Sequence, residues 1–557
     1  MAMLREQRKG TMTLTTRSQL LAVCVCLLAV ALVYAPGFGG FWIGDDLTNL
    51  HHFHRWAEDG RLWSDTLARF FQGISAQGSA YRPLSILSLS ANYAIAGSHY
   101  PGWYAANFGV HLINTLLIAL IVLRIAAHRQ FTGTLAAVLA ALVFGLAPSL
   151  AEGVYWLSAR ADGWVTLLTL VTVYLWMGPP QSLRSRWWMP PLALALIALA
   201  LGFKESAAVF PLQLALVALA WRGPLGLPRW CVVLGAFGML AGFFALRAHL
   251  FGHAFWVYAT PGADQAAVDW TTRLTLSLNS MGPWWHALTG GATVLSASYL
   301  IALATAMLLL GSAAERRTGP LALALFAASG GMALATVLNL GAFLAHGEGG
   351  RLSYGPIAWL ALALGVLLLG PATAVLARRR IAAVAALAVG ALLGAALLLP
   401  QLARVRAAQD GLHALATRLP VYLDTHPGYT LLLAPETDGQ VVLLRNGQGA
   451  LALPPLQATG LLDRVLPTLP GDLAERHPRI AGGMLTQFET RHFQHLEGDE
   501  VARLYDPAPP RWPDHYACWS QHERRIIELT APDPADATGW TAALRADWER
   551  CAATPRD

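Results

Sequence analysis

The sequence predicts an all-α polytopic membrane protein of about 11 transmembrane helices, carrying a small C-terminal α/β extracytoplasmic domain. Three observations lead there. Only 13% of the 557 residues are charged and 55% are hydrophobic, with a mean hydropathy of +0.45. Soluble domains carry about 25% charge, so lipid is the expected solvent for much of this chain. Apolar runs follow one another with short polar joints between them, and Lys and Arg concentrate on alternate joints, the bias that orients membrane helices.

The elements follow in order. The basic stretch 1–17, MAMLREQRKGTMTLTTR, is a cytoplasmic arm. The apolar run after it is longer than the ~7–15 residues of a signal-peptide core. With no clean small-residue cleavage site before Phe38-Gly39-Gly40, it reads as the first membrane helix, 18–36. Further helices are expected near 104–124, 132–148, 162–178, 189–203, 206–221, 230–247, 293–311, 321–340, 354–375 and 381–400. The segment 271–290, interrupted by Gly282-Pro283, reads as interfacial or re-entrant.

Orientation comes from the arginines. Arg5, Arg8, Lys9 and Arg17, Arg124 and Arg129, Arg184 and Arg186, Arg222 and Arg229, Arg316 and Arg317, and Arg378 to Arg380 mark one set of joints. That set is cytoplasmic by the positive-inside rule. Two long pieces then lie outside: the first outer loop 37–103 and the tail 401–557. The membrane domain is 18–400. The tail shows strand-like runs at Tyr429–Leu433 and Val441–Leu444 and a charged helical end around 537–550. Cys518 and Cys551 fall in the tail and are able to pair if it lies in an oxidising compartment. Cys24, Cys26 and Cys231 lie in apolar runs.

Composition also excludes. The net charge of +6 includes no basic-aromatic stripe, so no nucleic-acid partner is expected. The chain has no GxSxG elbow, no HExxH and no Walker A loop, the usual signals of soluble catalysts.

Candidate chemistry collects at the outer joints. Asp45 and Asp46 sit just past the first helix, and two adjacent carboxylates beside an apolar stretch are costly near lipid; the plainer reading is a helix cap. Tyr81-Arg82-Pro83-Leu84 puts a guanidinium at the boundary, suited to phosphate or to simple snorkelling. Asn107, His111 and Asn114 are spaced to share one helical face, turned to a cavity or to interhelical hydrogen bonding. Glu152, Arg160 and Asp162, then Lys204 and Glu205, then Arg351 and Tyr354 complete the set. Each charged pair alone makes a local ion pair. Together they line one membrane face at the depth of Asp45 and Asp46.

That constellation suits a lipid-linked sugar phosphate, whose head group lies at the interface. Breaking the sugar–phosphate bond leaves charge that Arg82, Arg160, Lys204 and Arg351 would stabilise, while a carboxylate deprotonates the incoming hydroxyl. His51, His52 and His54 follow the acids. With Asp45 or Asp46 they allow a divalent metal, but their spacing matches no specific ligand motif, and no cofactor is assigned.

The order of Asp45-Asp46, Tyr81-Arg82-Pro83-Leu84, Pro101…Asn107…His111…Asn114, Glu152…Arg160-Ala-Asp162, Lys204-Glu205 and Arg351-Leu-Ser-Tyr354-Gly-Pro356 resembles the GT-C glycosyltransferases. It resembles in particular the membrane half of the transmembrane and tetratricopeptide-repeat O-mannosyltransferases and their bacterial relatives. The resemblance covers roughly residues 18–400 and implies an inverting enzyme that uses a polyprenyl-phosphate sugar. It implies Asp45 as catalytic carboxylate with Asp46 supporting, and donor-phosphate binding by Arg82, Arg160, Lys204 and Arg351. Tyr81, Asn107, His111, Asn114, Glu152, Asp162, Glu205 and Tyr354 would line the cavity. The tail lacks the family's repeats, so a glycan, lipid or protein acceptor stays open. The expected setting is a bacterial inner membrane, with the N-terminus cytoplasmic and the tail periplasmic. A transporter or flippase of lipid-linked glycan is the alternative, though transport sites usually lie near mid-membrane. A scaffold whose tail binds a partner is a third reading.

Overall fold

The computed structural model describes residues 2–72, 80–177, 188–221, 227–252, 254, 293–312, 318–340, 350–369 and 374–434. In the tail it describes 437–438, 441–444, 449–461, 464–468, 514–531 and isolated positions up to 551. The segment 271–290 and most of the expected terminal helix 537–550 lie outside the described residues.

Each apolar run named above is helical over most of its described length. The helices are α1 (Ala2–Tyr34), α2 (Asp45–Glu58), α3 (Leu62–Ala68), α4 (Pro83–Ala96), α5 (Tyr100–Arg129), α6 (Thr134–Gly145), α7 (Glu152–Tyr155), α8 (Ala161–Trp176) and α9 (Met189–Phe203). They continue with α10 (Phe210–Ala220), α11 (Leu227–Phe251), α12 (Thr293–Ser312), α13 (Gly319–Leu340), α14 (Tyr354–Leu368) and α15 (Ala374–Thr425). Among the described residues, five helical stretches are long and apolar enough to cross a membrane: Arg17–Gly39, Tyr100–Arg129, Leu227–Phe251, Gly350–Leu368 and Arg378–Thr425. A sixth arises if α6 and Pro148–Tyr155, bent by 59° across a short break, form one broken span. The remaining apolar helices are shorter, Met189–Phe203 and Gly319–Ala333 among them.

Leucine- and alanine-rich faces join these helices into one core. It contains Ile118, Ile121 and Val122 of α5, Ala137 and Phe144 of α6, Val165 and Val173 of α8, and Leu362 and Leu364 of α14, each at most 3% exposed. The described residues of 37–103 are largely helical, with α2, α3 and α4 packed on each other and on the α5 start. Residues 148–160 form short turns between α6 and α8: Pro148–Ala151, α7 and Leu157–Arg160.

Helix α15 corrects one reading. Pro400 closes the apolar run, yet the helix passes through it, and through Pro420, to Thr425. Its last turns set Leu412, Leu415, Leu419 and Leu423 on one stripe, all fully buried. That 3–4 spacing is an amphipathic face, and it receives the tail sheet. The sheet order is β4-β1-β5-β6, with β1 (Thr430–Leu433) parallel to β4 (Val465–Thr468) and to β5 (His515–Ser520), and β6 (Arg525–Leu529) antiparallel to β5. A two-stranded ribbon, β2 (Thr437–Asp438) with β3 (Val441–Val442), stands beside it. The tail shares a single core with α2, the start of α5, the 151–159 turns and α15.

Cys518 and Cys551 are bonded, with Cα atoms 6.3 Å apart, while Cys24, Cys26 and Cys231 are free thiols. Alkylation of the denatured, unreduced chain should therefore tag three cysteines, and all five after reduction. Tagging of Cys518 or Cys551 before reduction would contradict the bond, and intact mass reads either outcome.

Candidate active site

The site begins at Gly44, which holds φ 53° and ψ −131°, a backbone region that side chains with a Cβ avoid. That turn starts α2 and puts Asp45 and Asp46 in its first turn, where the helix dipole favours negative charge. The two acids then diverge. Asp45 is partly exposed. Asp46 is only 2% exposed and accepts from the Leu157 N–H at 3.1 Å, the Ser158 N–H at 2.7 Å and the Ser158 hydroxyl at 2.6 Å. Burial pushes the Asp46 carboxyl up to about 7, against the lowering pull of the Ser158 and Leu157 donors, and the Asp45 charge adds to the rise.

The 157–160 turn carries Arg160, which is 2% exposed. Its Nε donates to Leu157 O at 3.1 Å, and its Nη1 donates to Asn92 Oδ1 at 2.6 Å and Ser88 O at 3.2 Å on α4. The guanidinium lies over Trp103 at 5.6 Å. Its Nη2 is buried and has no hydrogen-bond partner among the described residues. Burial lowers the Arg160 pKa to about 10, with Asp46 opposing the shift, so the cation persists at neutral pH.

The other basic residues are each matched to an acid. Lys204 Nζ lies 2.6 Å from Asp162 Oδ2, both largely buried. Arg82, placed by the proline that opens α4, donates from Nε to Glu205 Oε2 at 2.9 Å. Arg247 of α11 approaches the other Glu205 oxygen at 3.6 Å. Arg351 pairs with Glu152 through its guanidinium and its backbone N–H, and lies over Trp156 at 4.3 Å. Gly350 makes this junction possible, because a Cβ there would meet Ser149 O at 2.5 Å.

The polar stripe of α5 binds helix to helix. His111 Nε2 donates to Gly145 O at 3.1 Å, so Nδ1 is the acceptor of the Tyr354 hydroxyl at 2.7 Å. Asn114 donates to Gly163 O at 2.9 Å, and Asn107 reaches the carbonyls of Val154, Trp156 and Leu157 at 3.4 Å. Tyr81 donates to Phe70 O and packs near Phe243 and Phe251. The histidines separate: His51 Nδ1 donates to Pro454 O at 2.6 Å, His54 meets Tyr93 at 3.0 Å, and His52 stacks on Trp56. Among the described residues no three His, Cys, Asp or Glu groups are arranged to hold a metal ion.

The structure thus joins Asp46, Arg160 and α4 through one turn, and joins Arg82, Lys204, Glu205 and Asp162 through the α9 end. Arg351 and Glu152 close the neighbouring turn. Sequence reasoning missed Asn92, Ser158 and Arg247. Only Arg247 carried a signal, a charge at the end of an apolar run; Asn92 and Ser158 are ordinary polar residues until the fold brings them to Arg160 and Asp46.

No protein-family model matches this chain, and no curated protein matches it. Among solved structures it is similar to ArnT from Cupriavidus metallidurans bound to undecaprenyl phosphate, at 13% identity and TM-score 0.41 over 82% of this chain and 89% of that one. The apo state of ArnT gives 14% identity and TM-score 0.39 over 84% and 92%. The arabinofuranosyltransferase AftD from Mycobacteria gives 14% identity and TM-score 0.45 over 91% of this chain but 35% of that one. The chain therefore spans about a third of AftD. These are likenesses of shape alone.

Two outcomes follow from the geometry. The folded Asp46 pKa lies above its ordinary value near 3.8, so the folded state holds this proton more tightly than the unfolded one. The cost of the buried charge is absent below both values and complete above about 7. Melting curves should show wild type losing stability relative to Asp46→Asn as pH rises from 4 to 8; parallel curves would disprove it. Lys204→Met strands the buried Asp162 and should cost about 3–5 kcal/mol, and Lys204→Met with Asp162→Leu should recover most of it. Thermal melts of the purified variants check both.

Proposed function

We propose that the chain is an inverting glycosyltransferase that moves a sugar from a polyprenyl-phosphate-linked donor to an extracytoplasmic glycan, lipid or protein acceptor. The observation that carries this reading is the division of labour between the two acids beside a buried guanidinium. Asp46 is committed to the 157–158 backbone and serves as a positioning residue. Asp45, partly exposed on the same first turn, is the general base. Arg160, which among the described residues makes no ion pair and has a buried Nη2 without a hydrogen-bond partner, is the first donor-phosphate ligand.

In this mechanism Asp45 takes the proton of the acceptor hydroxyl as its oxygen bonds to the anomeric carbon. The bond from that carbon to the phosphate oxygen breaks with its electron pair, leaving polyprenyl phosphate. Attack opposite the leaving group inverts the anomeric centre, and one base suffices because phosphate leaves readily. Arg160 would meet the developing charge, an electrostatic contribution that is strongest where water is excluded. Arg82, Lys204 and Arg351 are already balanced by Glu205, Asp162 and Glu152, so they shape the pocket and lend their donors secondarily. The setting is the bacterial inner membrane, with the carboxylate face periplasmic. The flippase alternative fits less well, since these charges gather at the ends of helices and not along a path through them.

The test uses a deletion strain complemented with wild type or Asp45→Asn. Asp45→Asn should lower transfer by about 10²–10⁴-fold, the usual contribution of a general base, with insertion and melting unchanged. Mass spectrometry of envelope glycans and of polyprenyl-phosphate sugars reads the lost product and the accumulated donor. Full activity in Asp45→Asn would remove it from the mechanism. Flipping of lipid-linked glycan by proteoliposomes without transfer would favour the alternative.

A further inference from the structure

At the far end of the bundle from Asp45 lies a second polar cluster that the glycosyltransferase reading does not use. Trp103 and Arg129 are separated along α5 by 26 residues, about 39 Å at 1.5 Å per residue, so the two clusters occupy opposite faces. The ends of α5, α8 and α10 and the start of α11 meet here. Arg124 lies 3.8 Å over the Tyr174 ring and donates to the Tyr174 carbonyl. His128 stacks on Trp221 at 5.0 Å, and Arg129 lies over the same ring at 5.2 Å. Trp221 meets Trp176 edge-on at 6.2 Å. Arg229 covers Trp176 at 5.4 Å, donates to its carbonyl at 3.0 Å, and accepts from its indole at 3.4 Å.

Three features separate this cluster from ordinary arginine anchors, which project into water. Arg229 is 1% exposed and is held by reciprocal bonds with Trp176. Trp221 is 3% exposed, and among the described residues its buried indole N–H has no hydrogen-bond partner, which leaves a donor for a ligand to use. Among the described residues, Arg124, Arg129 and Arg229 converge with His128 on the Tyr174, Trp176 and Trp221 rings, so three guanidinium groups concentrate positive charge at these helix ends.

The geometry points to a binding site for a phosphate ester between these helix ends, formed by Arg124, His128, Arg129, Arg229 and the Trp221 indole. Guanidinium forks match phosphate oxygens. Basic pockets between membrane helices on the cytoplasmic side take anionic head groups. The ligand chemistry is a phosphodiester or phosphomonoester anion. Its source is either the head group of a lipid in that leaflet or a soluble phosphate, and the site is independent of the sugar chemistry on the other face.

The experiment uses the full-length chain in detergent, observed by native mass spectrometry. One arm titrates dioleoyl phosphatidylglycerol against dioleoyl phosphatidylcholine; the other titrates glycerol 1-phosphate. Phosphatidylglycerol should be retained several-fold over phosphatidylcholine. Arg129→Gln should reduce that retention about tenfold. Trp221→Phe keeps the ring but removes the N–H and should reduce it about threefold, and a melting point unchanged in Trp221→Phe separates binding from folding. Binding of glycerol 1-phosphate that displaces phosphatidylglycerol, with the same sensitivity to both variants, would support the site with a soluble ligand. Equal retention of the two lipids without glycerol 1-phosphate binding, or wild-type retention in both variants, would overturn the proposal.

Discussion

Asp46 is a carboxylate held almost out of water, on a turn whose positive φ at Gly44 is strained for any residue with a Cβ. Its three donors all come from Leu157 and Ser158, more than a hundred residues away along the chain. That contact fixes α2 to the turn that carries Arg160 and opens α8. Arg160 in turn holds α4 through Asn92 and Ser88. The placement of Asp45 is therefore inherited: it follows from Asp46 being tied inward, and the remaining geometry of the carboxylate face follows from the same tie. Burial raises the pKa of this acid even though three donors pull it down, so desolvation outweighs hydrogen bonding here.

The other charges are organised by the same scarcity of water. A buried charge persists only when a partner or a set of hydrogen bonds compensates it. Lys204 with Asp162, Arg82 and Arg247 with Glu205, and Arg351 with Glu152 satisfy that rule by pairing. Arg160 satisfies it with neutral oxygens instead, which leaves its positive charge without a carboxylate partner among the described residues. A pocket that paired every cation would offer an anion little, and one that paired none would be hard to fold. This face combines the two arrangements.

The tail belongs to this face as much as the loop does. Helix α15 continues past Pro400 and presents a leucine stripe to the sheet. The Gly44 N–H donates to Leu443 O at 2.6 Å, and His51 donates to Pro454 O. Two turns of the acid-bearing helix are thus gripped from the tail side while Asp46 holds the opposite side. The bond between Cys518 on β5 and Cys551 adds a covalent restraint to the sheet that rests on α15.

Hydrophobic runs and their joints determined the long apolar helices, because an apolar span leaves a strong one-dimensional signature, whereas α2, α3 and α4 lie in a stretch whose shorter, mixed runs read only as a loop. The shared face of Asn107, His111 and Asn114 was equally legible, since helical periodicity depends only on spacing. What they do was not. Their bonding to Gly145, Gly163 and the 154–157 carbonyls depends on which helices lie beside α5. Apart from the family resemblance, the residues' spacing could not tell Asp45 from Asp46, because adjacent residues on a helix point about 100° apart and only the packed neighbours define which direction is inward. Tertiary structure alone assigned Asp46 to Ser158, Arg82 to Glu205 and Arg160 to Asn92, for hydrogen bonds and ion pairs act over a few ångströms and the chain separations they bridge are not encoded in any local pattern.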